Sequence, residues 1–109
     1  MRIWDINEFK KGWFVGDFEP SIFRSKDVEV GHHKHKRGEK TVPHYHKETT
    51  ELNYILKGTL MVSGALMNAG QMWTYEKNEV SDVQFLTDVE LIVIRWPSIP
   101  HDKYEVDRT

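Results

Sequence analysis

The chain never sustains a helical repeat. Its apolar residues come in short runs, and nearly every run is closed by glycine, proline, asparagine or aspartate. That punctuation suits strands of four to eight residues and leaves no room for helices of ten or more. Residues 28–36 alternate, with Val28, Val30, His32 and Lys34 on one face and Glu29, Gly31, His33 and His35 on the other. Further strands are predicted at 13–18, 21–24, 51–57, 59–64, 65–67, 71–75, 83–86 and 89–96, the last broken by Pro97 and Pro100. The one helical signal is a turn over residues 5–9, with Asp5 as N-cap and Glu8 placed to complete a capping box. Many short strands in 109 residues predict a single all-β domain, a sandwich or a barrel.

Within that pattern one run carries chemistry. His44 and His46 are two apart, so on a strand both imidazoles point to the same side. Glu51 follows after a short polar loop, at the head of the next strand, where a hairpin brings its carboxylate beside them. Gly38 and Gly58 bracket the run at positions that suit turns. Two imidazoles and a carboxylate converging from neighbouring strands make a metal-ligand set.

The run resembles the first motif of the cupin superfamily: Gly, five residues, His-x-His, four residues, Glu, six residues, Gly. Gly38, His44, His46, Glu51 and Gly58 match it at every fixed position. The resemblance implies a double-stranded β-helix, or jelly-roll, barrel with its ligand inside. It also implies a homodimer. On this reading residues 26–97 form the barrel. Residues 1–25 are N-terminal strands whose aromatics either close one mouth or pack on a partner copy. Residues 98–109 are a polar tail on the surface.

The second cupin motif is degenerate. After Gly70, Glu76-Lys77-Asn78 stands where Pro-x-Gly belongs, and Asn78 can supply the left-handed turn. Ser81 stands at the His position and Phe85 at the Asn position, so the family's fourth metal ligand is missing. Either a slip in the turn aims Asp82 inward as the fourth ligand, or His44, His46 and Glu51 act alone as a facial triad. The expected cofactor is a divalent ion: iron, manganese, nickel or zinc.

Three further residues are candidates for binding substrate. Asn53 shares a face with Glu51, and Arg95 shares one with Leu91 and Val93 in an apolar strand. Arg95 binds a substrate anion, pairs with a structural carboxylate or sits at the strand's exposed end. His33 lies on the strand expected beside the motif. Three functions follow. The first is a metal-dependent protein acting on a small polar molecule, by oxygenase, isomerase or lyase chemistry. The second is a metal-free barrel that binds a sugar or acid. The third is a scaffold working through contacts between copies.

Composition narrows the partners. The net charge of −2 argues against a nucleic-acid or membrane partner held by bulk charge. No cysteine is present, which excludes thiolate chemistry and Cys-ligated zinc. No apolar run approaches the ~20 residues of a membrane span. The first residues lack a signal-peptide pattern, so a cytoplasmic location is the expectation.

Overall fold

The computed structural model describes residues 1–106. Ten strands are formed: β1 Trp13–Val15, β2 Glu29–His35, β3 His44–Tyr45, β4 Thr50–Lys57, β5 Thr59–Val62, β6 Ala65–Asn68, β7 Met72–Tyr75, β8 Val83–Phe85, β9 Val89–Trp96 and β10 Tyr104–Glu105. They build a five-stranded sheet in the order β1-β2-β9-β4-β7, a three-stranded sheet β6-β5-β8, and a small pair β10-β3. The strand pairs in these sheets are antiparallel. Among the described residues the only helical pieces are two short 3₁₀ segments, and no helix is long and apolar enough to cross a membrane. The first of them is the predicted turn, with both capping-box hydrogen bonds of Asp5 and Glu8 made.

The two larger sheets face each other across one core. Ile55, Leu91, Val93 and Tyr75 come from the five-stranded sheet, and Leu60, Val62, Val83 and Phe85 from the three-stranded one. Ile55 and Leu60 are fully buried, and each such side chain contributes about 1.5–3 kcal/mol by leaving water. The same alternation turns Glu51 and Asn53 inward with Ile55 on β4, and Glu29 inward with Gly31 on β2. Gly58 makes the one-residue connection from β4 to β5 at φ +97°. A Cβ there would stand 2.3 Å from the carbonyl oxygen of Asp88. Asn78 takes the expected left-handed conformation at φ 68°.

Some expected elements are shorter or differently placed. The strand read at 13–18 stops at Val15, and 21–24 forms no strand, meeting β1 through the Ile22 N–H to Phe14 carbonyl bond at 2.7 Å and a Gly16–Arg24 bridge. Phe23 there is 58 % exposed. Trp13 packs against the core, while Met1 and Ile3 are exposed. Most of the described C-terminal segment is exposed, with two buried members. Ser98 and Asp102 are buried, and β10 pairs with β3, because polar groups inside the barrel need the hydrogen bonds this segment supplies. The end of the expected tail, 107–109, lies outside the described residues.

Candidate functional site

The polar cluster is built on one rung of the large sheet. Arg95 of β9 lies directly opposite Glu29 of β2 on one side and Glu51 of β4 on the other. Arg95 Nε donates to Glu51 Oε1 at 2.7 Å, and Nη1 donates to Glu29 Oε1 at 3.4 Å. The guanidinium also lies over the Trp13 ring, 4.7 Å from its centroid. Ser98 Oγ donates to Glu29 Oε2 at 2.9 Å, and Asn53 Nδ2 donates to Glu51 Oε2 at 3.0 Å. Arg95 thus pairs with both carboxylates of the rung. The rung formally holds two carboxylates and one guanidinium.

The two motif histidines meet this rung from below. Their ring centroids are 5.4 Å apart and nearly perpendicular. β3 is only two residues long, so His44 is in strand and His46 follows it. His44 is held by paired backbone bonds with Ser81 and donates Nδ1–H to the Val42 carbonyl at 2.7 Å. His46 donates Nδ1–H to the carbonyl of Asp102. A ring nitrogen facing a carbonyl must carry the proton, so each neutral imidazole keeps its lone pair on Nε2. His46 Nε2 is buried, has no hydrogen-bond partner, and stands 3.8 Å from Glu51 Oε1.

Electrostatics favours the ionised form of Glu51 and the neutral form of His44. Burial pushes the Glu51 carboxyl up, but the Arg95 charge and the hydrogen bonds from Asn53 and Arg95 hold it below its ordinary value. Burial pushes His44 down, which favours the neutral ring. His33 is driven down to about 4, first by burial and then by the Arg95 charge.

Asp82 is half-buried and lies just before β8, between Ser81 and Val83, which are both buried. His33 faces inward against Trp13, with ring centroids 4.7 Å apart, and its Nε2 is buried without a partner. His32 pairs with Glu90 at 3.2 Å and His35 with Glu39 at 3.1 Å, so the three histidines of β2 serve three separate partners. Glu29, Ser98 and Asp102 are the members that sequence reasoning missed. Glu29 shares the inward face of His33, a signal that was available. Nothing local marks Ser98 or Asp102.

The donor chemistry fits a borderline divalent ion: two imidazole lone pairs oriented through their Nδ1 bonds, one of them buried without a partner, and an anionic oxygen. The cluster is open. Among the described residues, no three His, Asp or Glu side chains converge closely enough to enclose an ion as they stand. Beside it lies a cavity of about 960 Å³, lined by Trp13, Glu29, His33, Arg95 and Asp102 among others. Trp73 Nε1 and Tyr75 Oη are also buried without hydrogen-bond partners, on the strand next to β4.

Two facing antiparallel sheets with a polar cluster on their inner side make a double-stranded β-helix fold. Solved structures carry the same fold. An uncharacterised conserved protein with a double-stranded β-helix domain from Klebsiella pneumoniae aligns with TM-score 0.71 and 13% identity, over 98% of this chain and 93% of its own. KdgF from a Halomonas species aligns with TM-score 0.66 and 20% identity, over 70% of this chain and 74% of its own. A cupin-2 domain protein from Shewanella frigidimarina aligns with TM-score 0.59 and 21% identity, over 67% and 74%. This chain has the cupin fold. No protein-family model and no curated protein matches its sequence.

Proposed function

We propose that this chain is a metal-binding cupin whose His44 and His46, with Glu51, hold one divalent ion beside a cavity for a small polar molecule. The observation that carries the reading is His46 Nε2, a buried lone pair with no partner that faces Glu51 Oε1 across 3.8 Å. Leaving such an atom unpaired costs about 1–3 kcal/mol, and a cation shared with the carboxylate removes that cost. A bound iron, manganese, nickel or zinc ion supplies Lewis-acid chemistry, or redox chemistry in the case of iron or manganese. The chain's own residues do the rest. Val42 and Asp102 carbonyls orient the rings. Asn53 and Arg95 keep Glu51 ionised and fixed in rotamer. His33 lines the cavity and is held neutral by burial.

A second reading is favoured by one contact. Arg95 already occupies Glu51 Oε1 at 2.7 Å, and a guanidinium on a carboxylate competes with a dication. The barrel is then metal-free and binds a sugar or acid by hydrogen bonds alone. Elemental analysis of untagged protein, wild type against His46→Ala, separates the two. Near-stoichiometric metal in the wild type, lost in the variant, is the expected result. Wild-type protein that takes up no iron, manganese, nickel or zinc after soaking refutes the metal reading.

A further inference from the structure

We infer that Asp102 is the positioning residue for His46: its carboxylate holds the loop after the histidine, so that its own carbonyl selects the ring tautomer with the lone pair on Nε2. The inference deepens the metal-binding reading above and concerns a residue outside both sequence motifs.

The argument starts from backbone donors. The chain leaves β3 at His46 and re-enters sheet at Thr50, so Lys47, Glu48 and Thr49 have no strand partners for their N–H groups. Three consecutive unpaired donors beside a buried histidine are costly and form an anion-binding concavity. Asp102 fills it. Its Oδ1 accepts from Lys47 N at 3.1 Å, and its Oδ2 accepts from Glu48 N at 2.9 Å and Thr49 N at 3.1 Å. Asp102 is itself 6 % exposed. The same residue's carbonyl accepts the His46 Nδ1 proton. One residue thus ties down the loop with its side chain and orients the imidazole with its backbone, 56 positions from His46 in sequence.

The flanking contacts make the segment a clasp. On one side Val106 N donates to the Pro43 carbonyl at 2.9 Å, and the Tyr104 ring stacks on Tyr45 at 5.6 Å. On the other, Ser98 Oγ holds Glu29, whose second oxygen meets Arg95, which holds Glu51. Both the imidazole half and the carboxylate half of the site therefore depend on residues 98–106.

The test uses full-length protein with Asp102→Ala and Asp102→Asn, and two readouts. The first is the His46 tautomer without metal, read from two-bond ¹H–¹⁵N correlations. Wild type is expected to be the Nδ1–H form. Asp102→Ala is expected to give a mixture with Nε2–H, and Asp102→Asn a smaller change because one acceptor oxygen remains. The second is affinity for Co²⁺, followed by its visible absorption. It is expected to weaken about 10–100-fold in Asp102→Ala, the range for groups that orient metal-bound histidines, and less in Asp102→Asn. If Asp102→Ala does not fold, Asp102→Asn decides. A wild type that takes no Co²⁺, while the tautomer still shifts in the variants, overturns the metal reading and upholds the clasp. A folded variant with the wild-type tautomer overturns the clasp, as does Co²⁺ affinity within twofold of a metal-binding wild type.

Discussion

Replacing Arg95 with methionine removes the only cation on a rung that holds two buried carboxylates. Glu29 is 4 % exposed and Glu51 is 5 % exposed, so water does not replace the lost partner. Breaking one side of a buried ion pair costs roughly 3–5 kcal/mol. Two features move Arg95 toward the lower end: its side chain is 22 % exposed, and its Glu29 contact is 3.4 Å against 2.7 Å to Glu51. The expected loss is about 3 kcal/mol, a large share of the ~5–15 kcal/mol that stabilises a domain. Urea denaturation at pH 7, followed by tryptophan fluorescence, measures it. The pH dependence has a definite sign. In the wild type Glu51 sits below its ordinary value of 4.5, so its contribution is complete above that value and is lost as pH falls below it. In Arg95→Met, burial acts with less opposition and Glu51 moves upward, so protonation relieves the strain. The gap between wild type and variant is therefore widest near pH 7 and narrows below about pH 5. Adding Glu51→Gln to Arg95→Met should recover part of the loss at pH 7. A loss under about 1 kcal/mol at pH 7, or a gap that does not change with pH, refutes the reasoning.

Two further predictions follow from single positions. His33 has a folded value of about 4 against 6.5 for the free side chain. Its contribution is complete above 6.5 and is lost as pH falls toward 4, amounting to roughly 3 kcal/mol. His33→Gln should flatten the decline in denaturation midpoint over that interval, and an unchanged slope removes His33 as its cause. Gly58→Ala places a Cβ 2.3 Å from the Asp88 carbonyl oxygen at a positive φ, which should cost about 2–3 kcal/mol and lower the Tm by roughly 10 °C or more. A calorimetric shift of under about 3 °C would mean that the turn relaxes freely.

What the sequence determined by itself is local and two-valued: which side of a strand each residue takes. The pleat alternates with period two whatever the strand packs on. Counting along the chain therefore correctly places Glu51, Asn53 and Ile55 on one face, and Leu91, Val93 and Arg95 on one face. It also unites Glu29 with His33. The spacing of Gly38, His44, His46, Glu51 and Gly58 was enough to resemble a cupin, and the barrel followed.

Only the tertiary structure decided which strands lie beside one another and in what register. Glu29, Arg95 and Glu51 form one rung because β9 lies between β2 and β4 in a single alignment. That alignment is selected by the whole apolar core, since a slip of one residue would turn every inward side chain out. The clasp is still less visible in the sequence. Ser98 lies between Pro97 and Pro100 and Asp102 just after them, in a short stretch that reads as surface. They are buried because Glu29 and the N–H groups of residues 47–49 need partners that no neighbouring residue supplies. Those needs arise only when strands distant in sequence have closed around them.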